Sequence, residues 1–83
     1  MAQQKTEDQI QTWIQKRMAD YLEVGPDEIG VETPLANFGL GSRDTSQMTG
    51  ELEEWLELRL SQTVLYEYED IKALSSYLAG LAA

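Results

Sequence analysis

The chain has 83 residues, 42% of them hydrophobic and 25% charged, the composition of one small folded domain with a thin core rather than of a disordered segment. Fifteen acids against six bases leave a net charge of -9, which argues against nucleic acid as a partner and for a docking partner with a basic face. There is no Cys and no His, so disulfides, thiolate nucleophiles, triads and cysteine- or histidine-based metal sites are closed off, and chemistry here has to be carried by something attached to the chain.

The opening Met1-Ala2-Gln3-Gln4-Lys5 leads into polar sequence and not into an apolar signal core. The first periodic segment predicts a helix over 7–22, with Ile10, Trp13, Ile14, Met18, Tyr21 and Leu22 on one face. Thr6 and Gln9 have the spacing of a capping box, and Gly25-Pro26 marks the stop. From Val24 to Gly41 there are too many Gly and Pro breakers for regular structure, yet Ile29, Val31, Leu35, Phe38 and Leu40 are too apolar for a free linker. That pattern predicts a long ordered loop pinned across the core.

A second helix is predicted over 42–58, with Thr45, Met48, Leu52, Trp55 and Leu56 inward and Arg43, Gln47, Gly50, Glu54 and Glu57 outward. Asp44 and Glu53 flank the outward side. Trp13 and Trp55, lying on apolar faces, are expected in the core, and Tyr66 and Tyr68 are expected to pack with their hydroxyls at the surface. A short helix over 64–68 and a last helix over 70–79 complete the chain, with Ile71, Leu74, Leu78 and Leu81 in register and Asp70 at the positive end of the dipole. The apolar tail after Tyr77 is far short of the ~20 residues that a membrane span needs. The fold class expected is all-α: a small right-handed bundle of three main helices plus one short helix, forming a single domain over 1–83.

Phe38-Gly39-Leu40-Gly41-Ser42 at the mouth of the second helix, and Leu60-Ser61-Gln62-Thr63-Val64-Leu65-Tyr66-Glu67-Tyr68-Glu69-Asp70-Ile71 further on, give the chain a family likeness. It resembles acyl carrier proteins, the phosphopantetheine-bearing carriers of fatty acid and polyketide synthases, over nearly its whole length. Their pattern is an aromatic residue and G-x-D-S-L, later followed by a stretch like L-S-x-T-x-L-F-D-Y-P-T-I. The resemblance implies that Ser42 is esterified by 4′-phosphopantetheine and that the chain is not an enzyme. It implies docking on the outward face of the second helix, here Arg43, Asp44, Gln47, Gly50, Glu53 and Glu54. Two residues depart from the pattern: Gly41 stands for Asp and Arg43 for Leu.

Without the likeness, a serine at a loop-to-helix junction suits a phosphate, because helix N-terminal N–H groups face it, but the plainer reading is an N-cap. The motif around Gly41-Ser42-Arg43-Asp44, with Gly50-Glu51-Leu52-Glu53-Glu54-Trp55-Leu56, is similar to carriers loaded by fatty-acyl-AMP ligases at the start of polyketide or lipopeptide pathways. The partners so implied are a phosphopantetheinyl transferase, an acyl-activating ligase or acyltransferase, and a ketosynthase or other acyl-processing enzyme, acting on a cytoplasmic monomer. Two functions stay open: an acyl carrier holding its cargo as a thioester, or an unmodified acidic helical protein-interaction module of the same fold.

Overall fold

The computed structural model describes residues 5–82 and is all-helical, with no strand among the described residues. Its elements are α1 (Glu7–Leu22), α2 (Ser42–Leu56), α3 (Val64–Glu67) and α4 (Ile71–Ala82). α1 begins at the capping box: the Gln9 N–H donates to Thr6 Oγ1 at 3.1 Å, and the Thr6 N–H donates to Gln9 Oε1 at 2.9 Å. It ends before the Gly25-Pro26 stop expected of the sequence. Glu23 turns into the left-handed region (φ 58°), and the Val24 N–H folds back to the Ala19 carbonyl at 3.0 Å.

α2 ends in the same way. Glu57 adopts φ 55°, so the helix stops at Leu56, two residues short of the expected 58. Both helices thus close on a glutamate in a conformation that glycine usually fills, and each places a negative charge at the negative end of a helix dipole. Asp70 stands outside α4, and its Oδ1 accepts the Ala73 N–H at 2.8 Å, so it caps the helix as well as favouring the dipole.

Ile10, Ile14 and Met18 from α1, Met48 and Leu52 from α2, Val64 from α3, and Ile71, Leu74 and Leu78 from α4 are all buried. Fully burying one such side chain stabilises by roughly 1.5–3 kcal/mol, so a domain this small depends on most of them. Leu81 departs from the expected register, being 42% exposed, because the last turn of α4 carries the apolar stripe beyond the core it faces. The long loop is not wholly irregular. It contains two 3-10 turns, Pro26–Glu28 and Leu35–Phe38. It is also fastened at three points: Gln15 Nε2 donates to the Ile29 carbonyl (2.8 Å), the Leu35 N–H to the Glu69 carbonyl (2.7 Å), and the Lys72 N–H to the Val31 carbonyl (3.0 Å).

The tryptophans are half-buried rather than in the core. Trp13 and Trp55 stack on each other, centroids 5.2 Å apart and 13° from parallel, where the edges of the α1 and α2 apolar faces meet. Tyr66 is 62% exposed, against the expectation that it packs, because α3 turns Val64 and Leu65 inward and leaves the next side chain outside. Tyr68 stacks on Tyr77 at 4.7 Å.

Tyr21 ties α1 to α2 by donating its hydroxyl to Glu51 Oε1 at 2.8 Å, and Arg17 Nε lies 3.7 Å from the same oxygen. Burial first, then the hydrogen bond to the Glu51 carboxylate and its charge, push the Tyr21 phenol from 10.0 up to about 12. The fold therefore favours neutral Tyr21. Its contribution is complete below pH 10.0 and is lost as pH rises through about 12. Tyr68 is raised too, by burial first and then by the charges of Tyr77 and Glu67. We expect urea midpoints to fall across that alkaline window and Tyr21→Phe to flatten the fall. At neutral pH the variant should be less stable by about 1 kcal/mol, the net value of a hydrogen bond.

Candidate functional site

The 3-10 turn at Leu35–Phe38 passes into α2 through Gly39, whose φ of 70° is left-handed and suits a residue without Cβ. Gly41 is the N-cap, so Ser42 is the first residue of the helix and not its cap. This overturns the plain N-cap reading of the serine. Ser42 is exposed, and its hydroxyl makes no hydrogen bond within the described residues. Gly41 has no side chain with which to cap, so the first N–H groups of α2 are left without a capping side chain. Nothing in the backbone requires glycine at this position. Its φ is -71°, and a Cβ would meet nothing within 4 Å. What glycine removes, relative to an acid, is a carboxylate beside the serine.

An exposed, unengaged hydroxyl at the N-terminus of a 15-residue helix fits a phosphate ester, because the dipole and the open N–H groups both favour the anion. One turn on, Thr45 is buried and sends its Oγ1 back to the Gly41 carbonyl at 2.9 Å. Thr45 and Met48 form one wall of a partly open cleft of about 450 Å³. Pro34, Leu35, Leu40, Leu65, Tyr66 and Tyr68 line much of the rest, giving it a mostly apolar surface. Its Thr45 wall therefore lies one helical turn from Ser42. Sequence periodicity gave no sign of this cleft, which is built from a loop, two helices and a turn.

The six outward positions separate into two groups. Arg43, Gln47, Gly50 and Glu54 are exposed and recur at helical spacing, so they form one stripe running away from Ser42. Gly50 leaves that stripe flat, since a Cβ there would meet open space. Asp44 and Glu53 are half-buried beside it. Asp44 is near enough to Tyr21 for its charge to help raise that phenol. The Glu53 carboxylate accepts the Leu60 N–H at 2.8 Å, which fixes the segment between α2 and α3. No cluster of acidic residues that could hold a metal, and no helix long and apolar enough to cross a membrane, occurs among the described residues.

Residues 12–78 match the family model for the phosphopantetheine attachment site, and the chain belongs to that family. It is 30% identical over 75 residues to acyl carrier protein TtuC of Teredinibacter turnerae, covering 90% of this chain and 86% of that one. It is 33% identical over 71 residues to one subunit of the phenolphthiocerol/phthiocerol polyketide synthase of Mycobacterium tuberculosis, covering 86% of this chain but 4% of that protein. The solution structure of Asl1650, an acyl carrier protein from Anabaena sp. PCC 7120 with a variant phosphopantetheinylation-site sequence, superposes with a TM-score of 0.86. It shares 30% identity, with 100% of this chain and 96% of that one covered. A free-standing peptidyl carrier protein from Acinetobacter baumannii gives a TM-score of 0.87 at 27% identity, covering 94% of this chain and 98% of that one. The group attached in this family is phosphopantetheine, and its members carry rather than catalyse.

The two glutamates at the end of the outward face should respond differently to truncation. Glu53→Ala is expected to destabilise by about 1–2 kcal/mol, because it removes a charge-assisted bond to a backbone N–H. Glu54→Ala should fall within about 0.5 kcal/mol of wild type, as an exposed site does. Urea unfolding of both variants checks this.

Proposed function

We propose that Ser42 carries 4′-phosphopantetheine and that the chain holds an acyl group as a thioester on that arm, for a polyketide, lipopeptide or fatty acid pathway of the cytoplasm. The observation that carries the proposal is the exposed, unengaged Ser42 hydroxyl standing at the first position of α2 behind an open glycine. When bound, the group supplies the thiol that holds the acyl chain. Ser42 Oγ supplies the point of attachment, and the first turn of α2 faces its N–H groups toward the phosphate. The cleft walls of Thr45, Met48 and Leu65 offer apolar cover close to the arm's root. With no Cys and no His in the chain, no protein nucleophile of those kinds competes for the thioester.

The departures at Gly41 and Arg43 change local charge in one direction, losing an acid and gaining a base. The Anabaena carrier, whose site sequence is also a variant one, supports a carrier role for such a sequence. Arg43 begins the exposed stripe through Gln47, Gly50 and Glu54. A base there disfavours a partner that is basic at that spot and admits one that is acidic. We assign that partner as a fatty-acyl-AMP ligase, with a phosphopantetheinyl transferase acting before it and a ketosynthase or similar acyl-processing enzyme after.

Intact-mass measurement after incubation with coenzyme A and a broad phosphopantetheinyl transferase tests the attachment. The wild type should gain one arm, while Ser42→Ala should fold normally and gain none. A folded wild type that gains nothing would favour the unmodified interaction module instead.

Loading from free fatty acid and ATP by such a ligase tests the partner. Arg43→Leu is expected to slow that loading by about fivefold and to improve the chain as acceptor for transferases that serve leucine-type carriers. Added salt should slow wild-type loading, since surface attraction is screened within about 10 Å at 0.1 M. Equal rates throughout would leave Arg43 an ordinary surface residue.

A further inference from the structure

Half of the chain's bases are gathered at one place. Of six Lys and Arg residues, Lys5, Lys16 and Arg17 surround the Trp13–Trp55 stack, in a chain of net charge -9. The four side chains Lys5, Trp55, Trp13 and Arg17 form a ladder. Lys5 Nζ lies 5.1 Å from the Trp55 ring centre, the indoles are 5.2 Å apart, and the Arg17 guanidinium lies 5.2 Å from the Trp13 ring centre. Arg17 is already paired with Glu51, whereas Lys16 is exposed and forms no ion pair among the described residues. Beside the ladder a shallow groove of about 500 Å³ is lined by both indoles, Lys5 and Lys16, with Asp8 the one acid in its wall.

We propose that this groove is a second binding surface, which takes an acidic peptide segment of a partner protein with an apolar side chain set between the lysines. Charge complementarity selects the occupant: the patch is cationic, and its floor is aromatic. The rest of the surface selects against the larger polyanions. A nucleic acid or an anionic membrane would bring extended negative charge against the remaining acids, and a second copy would add another -9. A short acidic segment touches only the patch. Trp55 is thirteen residues along α2 from Ser42, about 20 Å at 1.5 Å per residue. A partner held at the groove therefore leaves the N-terminus of α2 uncovered, and the proposal does not depend on modification of Ser42.

The test uses the unmodified full chain and a synthetic peptide of Asp and Glu with one central Phe. It follows the indole N–H signals of Trp13 and Trp55 by NMR. Both should shift saturably, and Lys5→Glu with Lys16→Glu should weaken binding by about tenfold, since like charges then face the probe. Lys72→Glu, a charge reversal in the first turn of α4 and outside the groove's lining, should leave affinity unchanged, and thermal unfolding should show all variants folded. The proposal is overturned by an absent or unsaturable shift, or by equal affinity in the double variant. It is equally overturned if a Lys-for-acid version of the peptide binds as well. Tighter binding of a single-stranded oligonucleotide or of anionic vesicles would make the groove a polyanion site, and shifts that follow protein concentration alone would make it a self-contact. Either result also rejects the peptide.

Discussion

Two backbone hydrogen bonds decide where everything else stands. The Leu35 N–H to the Glu69 carbonyl and the Lys72 N–H to the Val31 carbonyl fasten the long loop to the residues just before α4 and to its first turn. A loop of this length is costly to order, and a thin core offers few contacts to offset that cost. Backbone pairing at two points, together with burial of Ile29, holds its course. The course of the loop then sets where α2 begins, and the beginning of α2 sets the position of Ser42. The bonds thus act on Ser42 through geometry, and one of them, Leu35 to Glu69, also holds two residues of the cleft wall in place.

Charge is distributed with the same division of labour. An acidic chain repels itself, so acids used for structure must be matched locally. Glu51 takes Tyr21 and Arg17, Glu53 takes the Leu60 N–H, Glu67 takes the hydroxyls of Ser61 and Thr63, and Asp70 takes the Ala73 N–H. Glu54 has no such partner within the described residues and stays outward. Adjacent glutamates on one helix therefore differ in kind. The difference comes from what the chain does after α2 ends, since Leu60 can reach Glu53 only because Glu57 reverses the backbone.

That example shows what the sequence made legible and what it did not. Local rules were readable: the capping box at Thr6 and Gln9, the helical spacing of Ile10, Ile14 and Met18, and the loop-to-helix junction at Ser42. The end of α2 was not, because the composition at Glu57 points away from a left-handed turn. The end of α1 at Leu22 fell where the Gly25-Pro26 breakers put it, although Glu23 makes the turn. Contacts between elements were hidden for a different reason. Periodicity places Trp13 and Trp55 on apolar faces and so in the core. It does not say that the edges of those faces meet and leave the two rings half-buried against each other. Leu81 fits the period of its helix and fails only because the core ends before the helix does. The cleft beside α2 needs four segments at once, and no single window of sequence contains it.

α2 is consequently a strut with two unlike ends. At its start, glycine at the cap leaves N–H groups and a serine hydroxyl open, so the local field there favours an anion. At its far end an indole lies against a second indole under a lysine, so a positive charge stands over an aromatic base. Between them runs the exposed stripe of Arg43, Gln47, Gly50 and Glu54, with a flat point at Gly50 and one charge of each sign. A rigid helix keeps these regions at fixed separation, whatever the loops do. Burial of Met48, Leu52 and Leu56 on its inner face is what holds the strut in place. The three surfaces thus share a single apolar anchor, and a core substitution at Leu52 would disturb all of them together while surface substitutions act on them one at a time.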